Sequence, residues 1–171
     1  MKALWMAALG LAAWQGSVLV SMEAERARKY HEAELHSQAM GKPLLVVGGP
    51  FGSTFSGKLF HFRAHGCGDL CLDLDARACQ SCPTVVGDVR DIPFPDQYFG
   101  AAFVSHVLEH LPTVDDAKRA IEELYRVADQ VWIVSPPKSS LYAWIIASHH
   151  LWIRQEEDRV LIQPFAKENH A

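Results

Sequence analysis

The stretch that decides the fold runs from Gly87 to Leu111. It reads Gly87-Asp88-Val89-Arg90-Asp91-Ile92-Pro93-Phe94-Pro95-Asp96-Gln97-Tyr98-Phe99-Gly100, then Ala101-Ala102-Phe103-Val104-Ser105-His106-Val107-Leu108-Glu109-His110-Leu111. A Gly-Asp turn and a Pro-Phe-Pro-Asp loop lead into an apolar run, Phe99 to Ser105, that has the character of a buried strand. Upstream, Leu44-Leu45-Val46-Val47 is a short apolar run ending in glycines, Leu70 to Leu74 is a second strand and Thr84-Val85-Val86 a third. Downstream, Asp115 to Val127 has helical spacing at Ile121, Leu124, Tyr125 and Ala128. Thr113 is its cap, and Asp115 and Asp116 suit its positive end. Val131 to Val134 forms a fifth strand stopped by Pro136-Pro137. Ser139 to Ala147 reads as helix, and Leu151 to Arg154 with Val160 to Ile162 as a hairpin. Alternating strands and helices predict an α/β fold with a parallel sheet and a ligand at the carboxyl ends of its strands.

The chain has 171 residues, 49% hydrophobic and 21% charged, with a net charge of −4. That length suits one core, and the composition excludes wholesale disorder. The mild acidity excludes the basic footprint of a nucleic-acid binder. There is no internal repeat or low-complexity tract.

Mean hydropathy is −0.01, and most of the apolar excess lies at the N-terminus. From Ala3 to Met22 no residue is charged, which as a helix of about 20 residues matches roughly 30 Å of hydrocarbon. A retained anchor, a cleaved signal and a buried helix are the three readings. Lys2 alone precedes the run and Ser21-Met22-Glu23-Ala24 is a poor cleavage site, which favours the anchor. Arg26, Arg28 and Lys29 follow the run, so the positive-inside rule puts the domain in the cytoplasm. The expected organisation is a single-pass transmembrane anchor over 1–22, a juxtamembrane helix over 23–42 stopped by Gly41-Lys42-Pro43, and an α/β domain over 43–171.

The first turn, Val47-Gly48-Gly49-Pro50-Phe51-Gly52, lets backbone approach a ligand closely. The second strand ends Leu72-Asp73-Leu74-Asp75. An acid some 20–25 residues after a glycine turn, at a strand tip, can accept both hydroxyls of a ribose, and Asp73 is preferred over Asp75.

The Gly87–Leu111 stretch resembles the class I S-adenosylmethionine-dependent methyltransferases of the broad type-11 group. Their typical pattern is GD-x-x-x-LPFPD-x-x-FD followed by a strand and a VLEHL-type segment. The likeness extends from Leu44 to about Ile153 and implies a Rossmann-like, doubly wound, mostly parallel sheet. It implies that Gly48 and Gly52 line the methionine and ribose part of S-adenosylmethionine. Asp73 then takes the ribose hydroxyls, and Asp88, with the Val89 backbone beside it, the adenine. Ser105 and His106 face the sulfonium end. Methyl transfer is an in-line displacement, so positioning supplies much of the rate and a base is needed only for nucleophiles that must lose a proton. His106 is the one candidate base; Glu109 and His110 read as structural.

The chain departs from the pattern at Val46, which replaces an acid, at Pro50, which replaces a glycine, and at Gly100, where Asp is usual. The connection between Asp75 and Thr84 is too short for a full crossover helix. Cys67, Cys71, Cys79 and Cys82 could hold zinc, form a Cys79–Cys82 redox or disulfide pair, or stay reduced. The position of Cys71 within a strand, the short gap between the pairs and a cytoplasmic setting favour reduced thiols and no metal. The functional expectation is methyl transfer to an unidentified small or lipid-soluble acceptor at the membrane. The alternative is an inactive methyltransferase-like scaffold with a protein partner.

Overall fold

The structure is a computed structural model that describes residues 1–50, 63–156 and 159–165. The elements are α1 (Lys2–Met40), β1 (Leu44–Val47), β2 (Leu70–Asp73), β3 (Thr84–Val86), β4 (Phe99–Ser105), a 3-10 turn (Leu108–His110), α2 (Val114–Val127), β5 (Ala128–Val134), α3 (Leu141–Ile145), β6 (Leu151–Glu156) and β7 (Arg159–Pro164). Strands β1–β5 form one parallel sheet in the order β3-β2-β1-β4-β5. The order reverses between β1 and β4, which opens a crevice at their carboxyl ends. A C-terminal antiparallel hairpin, β6-β7, completes the Rossmann-like α/β arrangement.

Both faces of the sheet are buried, so its strands are apolar throughout rather than alternating. Leu45, Val47, Ala102, Val104 and Ile133 pack toward Leu124 and Val127 of α2 and toward Leu151 and Ile153 of the hairpin. Leu44, Val46, Ala101 and Phe103 pack on the other face with Ala33 and Tyr30 of α1. Val46, in place of the family's acid, is therefore a fully buried core residue of the α1 face. The hairpin has no backbone ladder to β5. The Gln155 side chain makes the link: Ile133 N donates to Gln155 Oε1 (2.9 Å), and Gln155 Nε2 donates to Val131 O (2.8 Å).

Helix α1 is continuous through the boundary expected near Met22 and ends at Gly41, whose left-handed backbone directs its N–H back to Gln38 O. One stripe of α1 faces the domain: Gln15, Val18, Met22, Arg26, Lys29, Ala33 and Ser37, spaced three or four residues apart. The residues expected to form a juxtamembrane helix thus close one face of the sheet. Gly100 has its reason here. A Cβ at Gly100 would lie 3.0 Å from Ser37 Cα and 3.2 Å from Lys42 Cβ, so an acid there would press on the end of α1.

The Pro-Phe-Pro-Asp loop is held by α2. Arg126 donates to Ile92 O (2.9 Å), Phe94 O (2.8 Å) and Asp96 (2.9 Å), and Glu123 accepts Ile92 N (2.9 Å). Thr113 caps α2 by accepting Asp116 N, as the sequence predicts. β5 begins earlier than expected, directly at the end of α2, and the helix expected over 139–147 is only five residues long.

The cysteine expectation is corrected. Cys67 pairs with Cys82 and Cys71 with Cys79, and among the described residues no cysteine is free. The two nested bonds tie Cys67, just before β2, and Cys71, within it, to the connection leading into β3. They occupy the place of the crossover helix that the short Asp75–Thr84 segment cannot supply. Disulfides belong to oxidising compartments. Two of the three basic residues that follow the apolar run, Arg26 and Lys29, are buried against the domain, 8% and 9% exposed. Breaking the bond with 15-residue separation by Cys67→Ser/Cys82→Ser is expected to cost about 3 kcal/mol of unfolding free energy, read by urea titration. Peptide mapping without reductant should return the 67–82 and 71–79 pairs.

Candidate functional site

Four strand ends build the site. At the tip of β1, Gly48 has φ +88°, and a Cβ there would stand 2.5 Å from Ser105 O. Only glycine lets the tips of β1 and β4 come this close. A Cβ on Gly49 would meet Ala78 O at 1.9 Å, so the disulfide-bonded connection after β2 rests directly on the glycine turn.

Asp73, the last residue of β2, is oriented by that turn. Gly49 N donates to its Oδ2 (3.0 Å) and Asp75 N to its Oδ1 (2.9 Å). Each oxygen keeps a lone pair, so the carboxylate is fixed and still able to accept two hydroxyls. Asp75 is turned elsewhere, pairing with Arg77 (2.8 Å). Of the two acids, Asp73 is the one hydrogen-bonded to the glycine turn.

Asp88 lies just beyond β3. Arg90 grips its carboxylate through Nη2 (2.6 Å) and Nε and extends to Asp116 (2.7 Å). The Arg90 hydrogen bond holds the Asp88 carboxyl below its ordinary range. Val89 beside it is buried.

Ser105 is buried at the end of β4, and His106 follows with φ 54°, a left-handed backbone uncommon outside glycine. His106 N donates to Val134 O (3.0 Å), which ties the residue to the end of β5. Its ring lies between two charges: Nε2 is 2.8 Å from Arg26 Nη2 and Nδ1 is 3.0 Å from Glu109 Oε1. A guanidinium can only donate, so Nε2 accepts, and the ring proton belongs on Nδ1, donated to Glu109. Glu109 is 1% exposed and takes a second hydrogen bond from Ser135 Oγ (3.3 Å). Burial pushes its carboxyl up, but the His106 hydrogen bond and charge outweigh that and leave it lowered. The Glu109 carboxylate thus holds the His106 ring from one side and Ser135 from the other. His110 Nδ1 lies 3.1 Å from Ser148 O, its ring packs edge-on to His149, and both imidazoles have a nitrogen within 4.8 Å of the Glu109 carboxylate.

The structure therefore brings Gly48, Asp73, Asp88, Val89, Ser105 and His106 to one edge of the sheet. Gly52 lies outside the described residues. Sequence reasoning missed Arg26, which reads as an anchor flank. It is 8% exposed, pairs with Glu23 (2.9 Å) and His106, and its buried Nε has no partner among the described residues. Only its position on the α1 stripe signals a role, and that stripe becomes visible once α1 is seen to pack on β4 and β5. His65 lies near this cluster, stacked on Tyr30 and edge-on to Phe103.

A family model described as a methyltransferase domain matches residues 57–130. The match contains the Gly87–Leu111 stretch and begins beyond the divergent glycine turn. The matched part, residues 57–130, is similar to a methyltransferase domain. No curated protein matches the chain. Two solved structures are similar at the level of the fold. The PH0226 protein of Pyrococcus horikoshii OT3 is 19% identical over 56% of this chain and 46% of its own, with a TM-score of 0.36. The N-methyltransferase NodS of Bradyrhizobium japonicum WM9, solved with S-adenosyl-L-homocysteine, is 17% identical over 65% of this chain and 68% of its own, with a TM-score of 0.37. The chain thus spans under half the length of PH0226.

Burial pushes the His65 imidazole from 6.5 down to about 4, so the folded protein holds it neutral where the unfolded chain would protonate it. Stability contributed by neutral His65 is complete above pH 6.5 and is lost as pH falls from 6.5 toward about 4. Urea titrations across that window should show the decline, and His65→Gln should flatten it.

Proposed function

We propose that the chain transfers a methyl group from S-adenosylmethionine to a small, lipid-soluble acceptor carrying a hydroxyl or amine, at a membrane surface. The observation that carries this reading is the convergence of Asp73, Asp88, the Gly48–Gly49 turn and the Arg26–His106–Glu109 chain on the carboxyl edge of β3-β2-β1-β4. The donor set fits the cofactor's chemistry. The fixed carboxylate of Asp73 accepts two neighbouring hydroxyls. Asp88 accepts the backbone N–H, Nε and Nη2 of Arg90, which leaves one acceptor site for an amino group, beside the buried Val89. Arg26 offers a desolvated cation with an unused N–H to an anionic group, as the methionine carboxylate requires.

When bound, the cofactor supplies the activated methyl group and its thioether leaving group. The protein's task is alignment. Gly48 brings the tips of β1 and β4 together, and Ser105 and His106 stand at the end of β4 nearest the acceptor side. For an acceptor that must lose a proton, His106 Nε2 takes it once Arg26 releases that nitrogen. Glu109, accepting from Nδ1, then balances the imidazolium. The loop after β5 borders this place, as Ser135 reaches Glu109.

The membrane part of the proposal rests on α1, the one helix among the described residues that is long and apolar enough to cross a membrane. An anchored enzyme meets a lipid-soluble acceptor at high local concentration. Fold and charge offer no comparable support for a water-soluble macromolecular acceptor.

Calorimetric titration of the detergent-solubilised full chain with S-adenosylmethionine tests the pocket. Binding is expected, and Asp73→Ala should weaken it about tenfold to hundredfold, the effect of losing one or two charge-assisted hydrogen bonds. His106→Ala should leave this binding in place while lowering methyl transfer to a lipid extract. A folded chain with no affinity for S-adenosylmethionine would overturn the assignment.

A further inference from the structure

The packing of α1 leaves little of its apolar run free. Residues 4–14 are exposed all round, whereas Gln15, Val18 and Met22 turn toward the domain. Residues 2–14 of a helix reach about 20 Å, short of the roughly 30 Å of a bilayer's hydrocarbon. Residues 15–22 can enter lipid only together with the part of the domain they touch.

That part is the beginning of α3. Gln15 Nε2 donates to Ser139 O (3.1 Å), and Leu141 N donates to Gln15 Oε1 (2.9 Å). The side chain of α1 thus replaces a backbone partner at the first turn of α3. The five residues of α3 carry no charge, and four of them are large and exposed: Leu141 43%, Tyr142 50%, Trp144 47% and Ile145 76%. Trp144 keeps its indole N–H on Lys138 O (2.8 Å) and rests on Trp152 and Phe165. Apolar bodies with polar tips, held beside an apolar helix, are what the boundary between headgroups and acyl chains selects.

We propose that α3 and the first turns of α1 form one lipid-facing surface that seats the domain in the interfacial layer of a bilayer. The occupant of this surface is the lipid itself, argued from the hydrogen-bonded continuity of α3 with the apolar run. The inference rests on the membrane reading above and deepens it: the edge of the domain enters the membrane with the helix. A groove of about 330 Å³ opens at this surface between α1 and the loop after β5, lined by Ser17, Val18, Ser21, Met22, Glu25 and Pro137. It runs beside the helix turn that carries Arg26.

The test uses the full chain on phosphatidylcholine vesicles whose acyl chains carry bromine near the headgroup end, a contact quencher of tryptophan. Trp5→Phe and Trp14→Phe silence the indoles of the apolar run. This chain is expected to float with the vesicles and to lose fluorescence on brominated lipid. Adding Trp144→Phe, which keeps an aromatic ring against Trp152 and Phe165, should abolish most of that quenching. In the chain that retains Trp144, Tyr142→Ser/Ile145→Ser should weaken the quenching several-fold. A chain that floats but is not quenched would overturn the proposal and leave α1 as a lone anchor. A chain that does not float would overturn both this proposal and the membrane reading. Calorimetric binding of S-adenosylmethionine stands or falls separately from both.

Discussion

The stripe along α1 from Gln15 to Ser37 is the constraint on which the rest of the structure depends. Seven positions at three- and four-residue spacing turn toward the sheet and the loop after β5. They bury Ala33 against the face carrying Val46 and Phe103 and set Tyr30 edge-on to Phe103. The same stripe places Lys29 against Ile133 O and Arg26 against His106. Parallel strands need cover on both faces, and here the helix that covers one face also carries the apolar run. The apolar run, the core and the carboxyl edge of the sheet are therefore mechanically continuous. A shift of α1 by one turn would remove Arg26 from His106 and Gln15 from α3 together.

The departures from the family pattern find physical reasons in this packing. Gly100 clears a path for the end of α1, and Val46 serves the apolar face that α1 closes. Neither substitution touches Asp73 or Asp88, so neither speaks against a cofactor pocket. The short connection from β2 to β3 has a different compensation. A ten-residue link cannot bury a helix against the sheet, and two disulfides hold it there instead. Through Ala78 on Gly49, that link is part of the wall behind the glycine turn.

Much of the Gly87–Leu111 stretch serves rigidity rather than chemistry. Arg126 and Glu123 of α2 satisfy the backbone of the Pro-Phe-Pro-Asp loop, and Arg90 joins Asp88 to Asp116 at the start of the same helix. Pro93 and Pro95 offer no backbone donors, and the carbonyls of Ile92 and Phe94 are met by Arg126.

By itself the sequence determined the succession of strands along the chain, as apolar runs bounded by glycine, proline and acid, together with the Thr113 cap and the placement of Asp73 at the end of its strand. These are local patterns, set by residues near one another in the chain. The tertiary structure alone decided the rest. The extent of α1 in the domain was hidden because its stripe mixes Gln15, Arg26, Lys29 and Ser37 with apolar residues and so lacks an apolar face. The cystine pairing was hidden because spacing allows several connectivities and only the distance between strand ends selects one. Arg26 was hidden because 80 residues separate it from His106, and a charge just after an apolar run reads as a flank until the fold turns it inward.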